Sequence, residues 1–211
     1  KERESLFQSI PRTFIPEKFS NESIIPMLGD EHAKENYIHA LSIGSSLEEI
    51  LGEEEFTLYF PSAVRYFITA VRKRQGRNER ELRFKDELSR DLAQILINSS
   101  FFYWYWRVVG GGFGVGLGEV KALPLPHDHL VNDYQTDITT LANELEDREE
   151  EFKVIKNNKG KIPNVKYGLE IVRRLDDLVE KLYDFPIKYY PYFSAKFSSI
   201  AEYNSYFVRV N

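Results

Sequence analysis

Hydrophobic and polar positions change period several times along this chain, and each change predicts an element. Roughly the first 60 residues are irregular and punctuated by Pro11, Pro16 and Pro26. Aromatic and β-branched residues then gather in Phe56–Phe60 and Val64–Val71, two strand-like runs separated by Pro61-Ser62. In the second run Val64, Tyr66, Ile68 and Ala70 alternate with Arg65, Phe67, Thr69 and Val71, which places Arg65 and Thr69 together on an exposed face. Leu82-Arg83-Phe84 predicts a further short strand. Between these strands, Arg72-Lys73-Arg74-Gln75-Gly76-Arg77-Asn78 reads as a basic hairpin loop.

From Ser89 the period becomes helical through Leu92, Ile95 and Leu96, with Ser89 or Asp86 as the cap. Asn98-Ser99-Ser100 interrupts it. Six consecutive aromatics follow, Phe101 to Trp106, with no polar position before Arg107. A segment without a polar face must be buried on nearly all sides, as a helix or as an extended strand of core. Arg107 is expected to anchor a structural hydrogen-bond set beside it. Residues 137–155 predict an amphipathic helix with Ile138, Leu141, Ala142, Leu145, Phe152 and Ile155 on its apolar face. Residues 156–166 have linker composition, and a second helix over about 167–184 carries Val172, Leu175, Val179 and Leu182.

The expected fold is therefore α+β. A small, mostly antiparallel sheet from residues 50–85 and 113–123 packs on the helix ending near Asn98 and on the aromatic block. A helical C-terminal part follows, in which 137–155 and 167–184 form an antiparallel pair. In domain terms, residues 1–126 form a mixed α/β core and 127–211 the helical part, with 156–166 as linker.

The chain's 211 residues are 42% hydrophobic, enough to bury the core of one domain or of two small ones. Its longest apolar run, Phe101–Trp106, is far short of the ~20 residues a membrane helix needs, so no membrane partner is expected. Cysteine is absent, which removes disulfides, thiolate metal sites and cysteine nucleophiles and points to the cytoplasm. The start, Lys1-Glu2-Arg3-Glu4, is charged and lacks Met, as in a fragment of a longer protein. Net charge is −5, yet its distribution is uneven: residues 61–90 hold 9 Lys/Arg against 4 Asp/Glu, and residues 126–155 hold 2 against 9. A basic island between acidic flanks fits a focused binding surface, and it also fits a solvated face.

Residues 97–126 carry a more specific signal. Asn98, Ser99, Ser100, Phe102, Tyr103, Trp104, Trp106, Arg107, Val108, Gly110, Gly112, Phe113, Pro124 and Pro126 fall in the places of a block found in the target-recognition region of one protein class. That class is the large adenine-N6 DNA methyltransferases of type IIG restriction–modification systems, which this stretch closely resembles. Lys159-Gly160-Lys161, Arg174–Val179 and Leu182–Phe185 fit the order of the same region downstream, and Val64–Ile68 resembles a segment upstream of it. The chain departs from the pattern at Gly111, where the family has an acidic residue, and at Gly114–Gly118, where it has a polar stretch. The resemblance implies duplex DNA as partner, a catalytic methyltransferase domain upstream, and S-adenosylmethionine as the cofactor of the parent protein.

Catalysis itself is not expected within these residues. Amino-group methyltransferases use an Asn/Asp-Pro-Pro-aromatic loop to hold the flipped base, and the chain contains no Pro-Pro dipeptide. The glycines from Gly110 to Gly118 follow an aromatic segment instead of an aliphatic strand, so no cofactor is expected to bind there. His127 and His129 with Asp128 could seed a metal site, but a solvated turn after Pro126 is the preferred reading and no metal is expected. The expected DNA-binding residues are Arg65, Thr69, Arg72, Lys73, Arg74, Arg77 and Lys121: arginines for base edges and phosphates, lysines for phosphates. A protein-interaction or scaffold module, docking through the acidic helix 137–155 and the aromatic tail, is the alternative.

Overall fold

The computed structural model describes residues 26, 28, 31–62, 68–76, 78–110, 114–156 and 162–185. Its elements are α1 (Glu31–Ser42), a 3-10 turn (Leu47–Ile50), β1 (Leu51–Pro61), β2 (Glu79–Phe84), α2 (Glu87–Asn98), α3 (Ser100–Val109), α4 (Leu117–Lys121), α5 (Asp128–Asp133), α6 (Gln135–Asp147), β3 (Lys153–Lys156), β4 (Ile162–Val165) and α7 (Leu169–Tyr183). The fold is α+β, with a helical C-terminal part. Two separate two-stranded antiparallel ladders, β1–β2 and β3–β4, are the sheets among the described residues.

Alternation in β1 produces a two-faced ladder. Leu58 faces Leu82 and Phe56 faces Phe84, on the side where Leu58, Phe60, Leu82 and Phe84 are buried. Leu51 and Phe56 both register with Phe84, so Gly52–Glu55 bulge outward. Gly52 is required at that bulge, because a Cβ there would lie 2.8 Å from the Lys85 Cα.

Helix α2 is the central element and touches β1, β2, α3, α6 and α7. Asp86 caps it, its carboxylate accepting from the Ser89 amide at 2.7 Å. Ser99 ends α2 and begins α3: its backbone N–H and hydroxyl donate to the Leu96 carbonyl, and its Oγ accepts from the Phe102 amide. The aromatic block is thus helical. Phe101, Phe102, Trp104, Tyr105 and Trp106 are buried, Tyr103 is half-buried and Arg107 is exposed. Tyr105 donates to the Ala122 carbonyl at 2.7 Å, and the Tyr183 hydroxyl donates to that of Pro124. Those two bonds fasten the Leu123–Pro126 exit between α3 and α7.

Several expectations are corrected. The region 113–123 supplies no strand among its described residues. It contains α4, and its extended end meets the chain through a Ser46–Pro124 bridge instead of joining β1–β2. Of the expected strand 64–71, residues 64–67 lie outside the described part and 68–70 form no ladder. Val71 bridges Tyr59 through a reciprocal pair of bonds, 2.8 and 2.9 Å. The helix expected over 137–155 stops at Asp147, and Lys153–Lys156 pairs with Ile162–Val165, so the ends of the expected linker form a ladder. Arg148 gathers Glu144, Glu151 and Glu170 at that turn, and Val154-Ile155 suits a strand better than a helix. Helix α6 packs mainly on α2, with a smaller contact to α7, so the expected helical pair is not the main packing. Buried side chains on both sides of residue 126 form one continuous cluster. No helix among the described residues is long and apolar enough to cross a membrane.

Candidate nucleic-acid interface

The basic turn after Val71 is held at its base by α2. Asn98 is fully buried and treats Ala70 as a strand neighbour: its Oδ1 accepts from the Ala70 amide at 3.1 Å, and its Nδ2 donates to the Ala70 carbonyl at 2.8 Å. The second Nδ2 proton goes to the Gln94 carbonyl at 2.8 Å. Two residues on, Arg72 turns back into the fold. Its Nε donates to Gln94 Oε1 (3.0 Å), its Nη2 to Asp91 Oδ1 (2.9 Å), and its Nη1 to Glu146 Oε2 (2.7 Å) and Asn143 Oδ1 (3.0 Å).

Arg72 is therefore an anchor instead of a projecting cation of the loop: only 9% of its side chain is exposed. Asp91, wholly buried, also receives Arg90 at 2.8 Å, while its Oδ2 has no partner among the described residues. Burial raises the Asp91 pKa, and the two guanidiniums offset only part of that rise. Glu146 behaves in the opposite sense. Burial pushes its pKa up, but hydrogen bonds from Lys73 and Arg72 outweigh it and hold the carboxyl low.

Thr69 is also corrected. It is buried, and its hydroxyl donates to the Val165 carbonyl at 2.9 Å, tying the turn's approach to β4. Lys73 and Arg74 do project outward, with 72% and 51% of their side chains exposed. Lys73 pairs with Glu146 at 3.1 Å; Arg74 lies 5.0 Å from the Tyr59 ring centroid and 3.5 Å from Glu81. Lys121 is half-buried at the end of α4 and paired with Glu48 at 3.0 Å. Arg65 and Arg77 lie outside the described residues.

The acidic run 147–151 would repel DNA and is best placed away from this surface. Instead Glu149 is buried and accepts from Gln75 Nε2 at 2.6 Å, and burial raises its pKa. Arg107, expected to anchor hydrogen bonds, is exposed beside the Trp106 ring. Like Arg80, Lys85 and Arg173 it makes no ion pair among the described residues. The signal that could have found it was position: Arg107 is the one charged residue on an otherwise apolar helix.

Packing accounts for two of the glycines after α3, Gly110 and Gly114. A Cβ on Gly110 would lie 2.5 Å from the Trp106 carbonyl oxygen, and one on Gly114 would lie 3.0 Å from that of Ser62. His127 and His129 stack on each other at 5.5 Å on the surface, and no group of three or more metal-ligating side chains occurs among the described residues.

Ser100 completes the interrupted step. Its amide, at the start of α3, donates to Asp176 Oδ1 on α7 at 2.7 Å. Desolvation of this half-buried carboxyl pushes its pKa up to about 7, against the lowering effect of the Ser100 bonds. The folded state thus keeps a proton that the unfolded chain has already lost. Its contribution is full below the unfolded value of 3.8 and is lost as pH rises through about 7. Asp176→Asn removes this titration while its amide oxygen still accepts from Ser100. Its stability relative to the native chain is expected to improve by roughly 2–4 kcal/mol between pH 5 and pH 8. Urea unfolding of both chains at the two pH values checks this, and a constant difference contradicts it.

No known protein family, no curated protein and no solved structure matches this chain.

Proposed function

We propose that the chain recognises duplex DNA as part of an adenine-N6 methyltransferase or restriction–modification system, its chemistry and its S-adenosylmethionine residing in an upstream catalytic domain. The sequence block at 97–126 suggests the class of system. One observation carries the surface: Lys73 and Arg74 stand outside a turn whose base is fixed by the buried Arg72. Cations on a fixed mount lose little freedom on binding, which favours phosphate contact. Their present partners Glu146 and Glu81 are partly exposed, and exposed pairs contribute only about 0–1 kcal/mol, so a phosphate replaces them at small cost.

A net charge of −5 makes isolated binding weak, and binding carried by phosphate contacts falls as salt rises. Fluorescence anisotropy of a labelled duplex, titrated with the chain at several salt concentrations, tests this. Binding that weakens linearly in log–log form as salt rises is the expected result. Salt-insensitive self-association with no duplex retained even at low salt contradicts it and favours the scaffold alternative.

A further inference from the structure

We infer that Asn98 is the positioning residue of the basic turn, its side-chain amide replacing a missing neighbouring strand. The inference rests on the proposed function only for what the turn binds. Segment 70–72 lacks a continuous ladder, yet the backbone groups of Ala70 and Val71 are paired from two sides. Val71 exchanges both bonds with Tyr59 on β1, while Ala70 exchanges both with the Asn98 amide on α2. Asn98 is the residue type this needs. One carboxamide oxygen accepts and one amide nitrogen donates in the spacing of a peptide group, and the second N–H serves the Gln94 carbonyl.

The same face of α2 continues the lock. Gln94 lies one turn before Asn98 and Asp91 three residues earlier still; both receive the Arg72 guanidinium. Positions 91, 94 and 98 of one helix thus read positions 70 and 72 of the segment. Lys73 follows directly, so the direction in which the turn leaves the fold is set by Asn98, which itself has no exposed surface. Asn98 therefore acts on binding through preorganisation and carries no charge to the partner.

Hydrogen exchange and duplex binding of the whole chain test this together. In Asn98→Ala, the Ala70 and Val71 amides are expected to exchange at least about tenfold faster relative to the core amides of α2, a local opening. Val179→Ala, a remote buried truncation, is the control, and there the turn is expected to follow the core. Duplex affinity of Asn98→Ala is expected to fall with its salt slope unchanged, since no phosphate contact is deleted.

If Asn98→Ala does not fold, Asn98→Asp supplies the test. Its protonated carboxyl accepts from one group and donates to another, reproducing the pairing with Ala70. Ionisation replaces that donor with a negative charge against a carbonyl, so the turn is expected to open as pH rises. Unchanged relative exchange at Ala70 and Val71 in Asn98→Ala, or a turn indifferent to pH in Asn98→Asp, overturns the inference. Absence of duplex binding by the unsubstituted chain counts against the proposed function instead, and the exchange comparison still decides the role of Asn98.

Discussion

Arg72→Ala is expected to lower the stability of the fold by about 3 kcal/mol, at the lower end of the range for breaking a buried ion pair by removing one partner. The reason lies in what the substitution leaves behind. Asp91 is wholly buried with one oxygen unpartnered among the described residues, and of its two described guanidinium partners Arg90 alone remains after the change. Gln94 Oε1 and Asn143 Oδ1 lose a donor as well. Retention of Arg90 keeps the expected cost from the upper end. Urea unfolding near neutral pH measures the effect, and a loss below about 1 kcal/mol, the scale of an exposed pair, would show that Arg72 is a surface residue after all. An alanine scan of the whole basic island would therefore confuse unfolding with lost contact.

The aromatic block yields the second large effect. Trp104→Ala and Trp106→Ala are each expected to cost ~3–5 kcal/mol through the cavity left in the core. Phe at the same positions separates the two. Trp106 Nε1 donates to the Gly114 carbonyl at 3.0 Å, so Trp106→Phe strands that acceptor and frees the loop after α3. The Trp104 Nε1 is buried with no partner among the described residues, and its ring meets Tyr37 edge-on at 6.5 Å. Removing an unpaired N–H relieves a desolvation cost, so Trp104→Phe is expected to be the milder change by about 1–2 kcal/mol. Thermal unfolding of the two Phe variants side by side checks the order, and the reverse order contradicts the pairing.

Local features were the legible ones. Ser89 or Asp86 before a helical period marked the start of α2, where Asp86 proved the cap, and the absence of a polar face on Phe101–Trp106 placed Trp104 and Trp106 in the core. The apolar spacing of Val172, Leu175, Val179 and Leu182 marked α7 to within two residues. Long-range pairing was not legible. Arg72 sits among cations in the sequence, while the groups that bury it are 19 and 74 residues away. Asn98 looked like a helix stop, and its real partner, Ala70, lies 28 residues upstream. The turn at 148–152 hid within an acidic run of helix-favouring residues, where Arg148 joins carboxylates from both sides of the break. The short helix α4 hid in a glycine-rich run, of which Gly110 and Gly114 answer to the Trp106 and Ser62 carbonyls.

The central claim is that Lys73 and Arg74 meet phosphates from a rigid turn. Its most direct test is the salt slope of duplex binding for the double variant Lys73→Ala/Arg74→Ala beside that of the native chain. Both side chains are more than half exposed, so the variant should unfold at nearly the native urea concentration. The predicted result is a log–log slope shallower by about 2 units, with cognate and random duplexes weakened alike. A folded double variant that binds duplex with the native slope would contradict the account.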